Sequence, residues 1–329
     1  MNRRAFIAGL CSAAAWPRVA SAQQNGQVRR VGVLMNNPTE PAYQAYLATF
    51  VRSLQTLGWT DGQNLHVDVR WSGGDSEHAR SNAEELVSLT PDAIFSSTSL
   101  NLAALSRVTH IIPIVFVQVS DPVAQGFVTD LVHPGGNITG FSAYEFSMGA
   151  KWLDLLKQMV PTVERVGVMS NPETAPQSKF FLRSIEAVAP SFGVKVIAAP
   201  VHSEVEIRQA IESLGSEPNG GLLMPTDSFT EVHGDLIREL STRYRLPAIS
   251  SSSTGGVRKG GLMYYGIDYE SVFRRAAIYI DHILKGAKPG DLPVQTPTIF
   301  RLVINLNAAR ALGIEVPMGL MLRADEMIE

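Results

Sequence analysis

Cysteine is all but missing from this chain of 329 residues, since Cys11 is the only one. A single thiol closes no disulfide within the chain. Cys11 also lies in an N-terminal stretch unlike the rest, so without that stretch thiol catalysis and cysteine-ligated metal are excluded. An excess of either charge is missing too: 28 basic residues stand against 31 acidic ones, a formal net charge of −3, and no basic surface for nucleic acid is indicated. The familiar catalytic signatures are absent, with no GxSxG elbow, P-loop, GxGxxG or HExxH. The seven histidines show no metal-ligand spacing. Neither a cofactor nor an enzymatic activity is expected.

Long apolar runs are absent after residue 22, and the segment before it reads as an export signal. Arg3-Arg4 open it, AFIAGLCSAAAW (Ala5 to Trp16) is its short apolar core, and Ala20-Ser21-Ala22 fits a cleavage site before Gln23. Twelve residues are too few to span a bilayer core of ~30 Å as a helix. The order NRRAFI also resembles a twin-arginine signal. Removing residues 1–22 takes away three arginines and no acid, moving the formal charge from −3 to −6. The expected location is the periplasm, or outside the cytoplasm more generally.

What is present is a repeat. RVGVLMN (Arg30 to Asn36) returns 135 residues later as RVGVMSN (Arg165 to Asn171). A helical pattern follows each copy, closing on Gly58 and on Gly193. PDAIFSS (Pro91 to Ser97) is answered by NGGLLMP (Asn219 to Pro225), and Pro113 by Pro247. Short β-branched runs alternate with amphipathic helices in each half, the signature of parallel sheets built from βαβ units. The expected fold is α/β, two doubly wound parallel-sheet lobes joined by a multi-strand hinge. The expected division is lobe 1 over 23–140, lobe 2 over 141–265, and return segments over 266–329 that complete both.

Ligands of open α/β sheets sit beyond the carboxyl ends of the strands. Six loops fall there: Asn36 to Tyr43, Ser96 to Asn101, Ser120-Asp121-Pro122, Ser170 to Pro176, Pro225 to Glu231, and Ser250 to Gly256. They offer hydroxyls, amides and a few carboxylates, an inventory suited to a small polar or zwitterionic molecule. Candidate ligand contacts are Asn36, Ser97, Thr98, Ser99, Ser120, Asp121, Thr139, Phe141, Asn171, Thr226, Asp227 and Ser250. Ser97 to Ser99 precede a helical segment whose unpaired N–H groups favour a carboxylate, or else one of them simply caps it. Asp227 is either the counter-ion of an ammonium or a helix cap. Asp121 before Pro122 has the order of a helix start, which favours a capping role. Tyr43, Phe141, Tyr144, Phe229, Tyr264 and Tyr265 cluster near the same loops and supply aromatic faces or ordinary packing.

PIVFVQVSDPVAQGFVTDLVHPGGNITGFS (Pro113 to Ser142) and LKGAKPGDLPVQTPTIFRLVINLNAARALGIEVP (Leu284 to Pro317) resemble the ABC-transporter substrate-binding family whose better-known members bind tryptophan and other aromatic amino acids. The resemblance runs from about Arg29 to the C-terminus. It implies a type I periplasmic-binding-protein fold, lobes that close on a small-molecule ligand, and an ABC permease with its ATPase as partners; a monomer is expected. The loop NNPTEPAY holds no charged residue but Glu40. A sensor subunit presenting its closed form to a membrane receptor is the alternative, and an exported enzyme using Asp121 or Asp227 as a general base is a third reading.

Overall fold

The computed structural model describes residues 28–252 and 254–329. The signal-like segment 1–22, with Cys11, lies outside them. In the first half β1 (Arg29–Met35), β2 (Leu65–Trp71), β3 (Ala93–Ser97), β4 (Ile114–Val119) and β5 (Ile138–Ser142) form one parallel sheet in the order β2-β1-β3-β4-β5. In the second half β6 (Arg165–Ser170), β7 (Lys195–Pro200), β8 (Gly220–Met224), β9 (Ala248–Ser250) and β10 (Met263–Ile267) repeat that order as β7-β6-β8-β9-β10. The second sheet is then extended by β11 (Phe300–Asn305), antiparallel to β10, and β12 (Glu326–Ile328). The doubly wound order is thus built twice.

Each sheet is covered on both faces, which is why β4 is apolar and buried almost without alternation. The repeat explains one contact on each side. Gly32 and Gly167 occupy the same position in RVGV, where the helices Ser76–Ser88 and Glu204–Gly215 cross the sheet. A Cβ at Gly32 would lie 3.3 Å from Leu86, and at Gly167 2.3 Å from Leu214. The helical pattern expected to run to Gly193 stops at Val188, because Pro190 removes a backbone donor. A 3₁₀ turn then reaches Gly193 at φ +64°.

The two units exchange helices. The helix after β5, Met148–Met159, leaves its own sheet and packs on the second one beside Ser178–Val188. The helix after β10, Tyr269–Leu284, returns to the first sheet and packs beside Pro41–Thr56. There the Trp59 indole donates to Asp281 Oδ1 at 2.8 Å. Trp152 is buried on the other unit and donates to the Tyr265 carbonyl at 3.0 Å. The chain crosses between units three times: after Ser142, after Ile267, and between Asp291 and Phe300. Tyr144 ties the crossings together, accepting from Ile267 N at 3.1 Å and donating to the Ser251 carbonyl at 2.7 Å. The expected divisions at 140 and 265 fall inside β5 and β10.

Candidate functional site

The carboxyl ends of β1, β3 and β4 in one unit and β6, β8 and β9 in the other converge on one small cavity, about 20 Å³ in volume. A water needs ~10–15 Å³ on this measure, so there is room for one or two. The units touch around it. Ser120 Oγ lies 3.3 Å from Thr226 Oγ1, and Lys259 Nζ reaches Glu40 Oε2 at 2.7 Å.

The first unit contributes Asn36, Tyr43, Thr98, Ser99 and Gln118. Asn36 is fully buried, yet neither atom of its amide has a hydrogen-bond partner among the described residues. The same holds for Thr98 Oγ1 and for Gln118 Oε1, although Gln118 Nε2 donates to the Tyr43 hydroxyl at 3.3 Å. Burial pushes the Tyr43 phenol well up, so it stays a neutral hydroxyl. Thr98 at φ +73° and Gln118 at φ +59° hold a left-handed backbone that non-glycine residues avoid. Each such residue costs about 1–3 kcal/mol, and such strain concentrates at ligand sites. At Gln118 it coincides with a register shift between Phe116 and Val119. Thr98 sits at the start of the helix Ser99–Val108, whose first N–H groups have no intrahelical acceptor.

The second unit contributes the loop residues Thr174 and Gln177, the β8 loop from Thr226 to Ser228 with Glu231, and Ser252. Asp227 is the centre of this side, and its two oxygens are fully engaged. Oδ1 accepts from Thr174 Oγ1 at 2.5 Å and Phe229 N at 3.0 Å; Oδ2 accepts from Asn171 N at 2.8 Å and Thr230 N at 3.3 Å. A carboxylate offers about four lone-pair sites. Burial raises the Asp227 pKa, with these four donors pulling the other way. The carboxylate therefore caps the helix Ser228–Val232 and braces the neighbouring β6 loop.

Of the twelve sequence candidates, Asn36, Thr98, Ser99, Thr226 and Asp227 line the cavity, and Ser120 joins the units at its edge. Ser97 is buried beneath, with an unpartnered Oγ among the described residues. Asn171 closes its own loop, its Oδ1 accepting from Glu173 N at 2.8 Å. Ser250 faces a neighbouring cavity with Glu40 and Arg238. Asp121 caps a turn and no helix, accepting from Ala124 N at 3.1 Å, and lies outside the cavity. Thr139 and Phe141 also lie outside it. Thr139 donates to the Leu292 carbonyl at 2.6 Å, while the Phe141 ring packs 4.9 Å from the Tyr279 ring and carries the Arg275 guanidinium over it, 5.1 Å from its centroid.

The candidate list lacks Gln118, Thr174, Gln177, Ser228, Glu231 and Ser252. Four of these stand inside the quoted loops, and their polarity was the available signal. Gln118 had none, because the alternation of a strand does not foretell a left-handed residue within it. Tyr43 alone among the flagged aromatic residues reaches the cavity. Among the described residues no group of three or more His, Cys, Asp or Glu is placed to hold a metal, and no helix is long and apolar enough to cross a membrane.

A family model described as ABC transporter substrate binding protein matches residues 32–328. The tyrosine-binding protein of Clostridioides difficile is 30% identical over 266 residues, which is 81% of this chain and 76% of that protein. A Streptococcus pneumoniae ABC domain solved in complex with L-Trp is 25% identical, covers 91% of this chain and 99% of its own, and superposes with a TM-score of 0.81. A substrate binding protein with adhesive properties from Clostridium difficile, solved in a ligand-free, open form, is 30% identical over 92% of this chain and 99% of its own; its TM-score is 0.65.

Proposed function

The chain belongs to the ABC transporter substrate binding protein family, and we propose that it captures a small, amino-acid-like molecule by closing its two units around it. On this reading the protein is exported by the segment 1–22, works as a monomer, and delivers its ligand to an importer's permease and ATPase.

One comparison carries the closing motion. The chain is more identical to the open, ligand-free relative (30%) than to the L-Trp complex (25%), yet it superposes better on the complex, 0.81 against 0.65. The contacts Ser120 to Thr226 and Glu40 to Lys259, both made across the cleft, fit such a closed form. Opening the units by hinge rotation at the three crossings breaks these contacts and admits a guest.

The test is small-angle scattering on protein unfolded and refolded to remove carried-over ligand, with amino acids and related acids added in turn. A ligand is expected to reduce the radius of gyration and raise the melting temperature together. If no small molecule moves either quantity, the reading is lost. Fusing residues 1–22 to a reporter tests export separately.

A further inference from the structure

We infer that the ligand is a small amino acid with a hydrogen-bonding side chain, of the serine, threonine, asparagine or glutamine class, and not an aromatic one like the tyrosine and L-Trp of the two relatives. This rests on the reading above of an amino-acid-like ligand in this cavity.

Unpartnered polar groups carry the argument. Asn36, Gln177, Gln118 and Thr98 line the cavity at 0%, 4%, 6% and 9% exposure. Between them five side-chain atoms lack a hydrogen-bond partner among the described residues: both ends of the Asn36 amide, Gln118 Oε1, Gln177 Oε1 and Thr98 Oγ1. Buried polar groups are almost always paired. A ligand that pairs them recovers the desolvation penalty that each otherwise incurs.

An aromatic ring does the reverse. A phenylalanine ring covers these groups and satisfies none of them, while a tyrosine hydroxyl or a tryptophan indole N–H reaches only one or two of the five. Sites built to hydrogen-bond a substrate discriminate against analogues lacking the group by as much as ~10⁴–10⁵-fold. Tyr43 is the one aromatic residue lining the cavity and no aliphatic side chain lines it among the described residues; the space as it stands holds one or two waters, so a guest enters while the units are open. Tyr144, Tyr264 and Phe141 are spent on the crossings: Tyr144 and Tyr264 hydrogen-bond the backbone there, and Phe141 packs against Tyr279.

Charge places the two ends of the guest. No Lys, Arg or His lines the cavity among the described residues, so a carboxylate finds its donors at the N-terminus of the helix Ser99–Val108 and at Thr98. The acidic residues Asp227 and Glu231 belong to the other unit and make that side negative, the side suited to an ammonium, although the four donors on Asp227 leave its oxygens no further bond to accept. The unpartnered amides then take the side chain.

The experiment is titration calorimetry on the refolded, ligand-free protein with L-Ser, L-Thr, L-Asn, L-Gln, L-Phe, L-Tyr, L-Trp and a pentitol. At least one polar amino acid is expected to bind 100-fold tighter than any aromatic one. Gln177→Leu is expected to weaken that ligand tenfold or more while leaving the melting temperature of the free protein unchanged. Tightest binding by an aromatic amino acid overturns the inference but leaves the amino-acid-like reading standing. Binding of the pentitol alone, or of nothing, overturns them together.

Discussion

Asn36 and Asn171 close the two copies of one motif and fold to equivalent places, each at the carboxyl end of the first strand of its unit. Their amides are used in opposite ways. Asn171 is drawn inward, donating its backbone N–H to Asp227 and accepting from Glu173. Asn36 keeps both amide atoms without a partner among the described residues. The contrast extends along the cleft, where Asp227 holds its side with four hydrogen bonds while Thr98 and Gln118 hold theirs in strained backbone. One duplicated frame has diverged: around Asp227 it is braced, while around Asn36, Thr98 and Gln118 it leaves polar groups unpaired among the described residues.

Four experiments press on that contrast. Asp227→Ala strips four donors of their acceptor, and losing a buried charged hub costs about 2–4 kcal/mol of unfolding free energy in urea. If stability holds and ligand affinity collapses instead, Asp227 belongs with Asn36, Thr98 and Gln118. Next, Asn36→Ala is expected to weaken ligand binding by roughly tenfold to a hundredfold, about 1–3 kcal/mol, with little loss of stability. Asn171→Ala is expected to show the reverse balance, about 1 kcal/mol of stability for a small change in affinity; matching profiles for the two asparagines would erase the distinction. The glycine pair sharpens the same comparison in the core. Gly167→Ala overpacks against Leu214 at about 1–3 kcal/mol, whereas Gly32→Ala, with more room against Leu86, costs less than about 1 kcal/mol by thermal or urea denaturation. Last, Lys259→Met removes the cross-cleft partner of Glu40, and because Lys259 is partly exposed the expected loss of affinity is only severalfold, about 0.5–1 kcal/mol. The wild-type protein should lose a similar amount in high salt and the variant almost none.

The duplicated frame was legible because strands and helices advertise themselves by periodicity, and RVGVLMN and RVGVMSN carry their glycine at the same helix crossing. The loops of the cleft were legible for a second reason: strand ends are recognisable, and ligands gather there. Side-chain direction was not. Thr139 and Phe141 sit on a strand adjoining the cleft, but their contacts are Leu292 and Tyr279, from segments more than 130 residues away. Asp227 read equally well as counter-ion or cap, since the donors that exhaust its oxygens include Asn171 and Thr174, 56 and 53 residues earlier. Gln118 lay within an apolar strand and is aimed by a positive φ that no neighbour announces.

The exchanged helices bear on how the chain comes to be folded at all. The cover of the first sheet includes Tyr269–Leu284, and Trp59 meets Asp281 across 222 residues of sequence. Until that helix has been synthesised, Pro41–Thr56 covers its face of the first sheet without the neighbour it packs against. Contacts this distant are closed late, because the intervening loop entropy must be overcome before they contribute. The N-terminal unit is therefore made first and finished last. A chain cut after Asp268 keeps every strand of its first sheet, yet that sheet is the one that loses a covering helix.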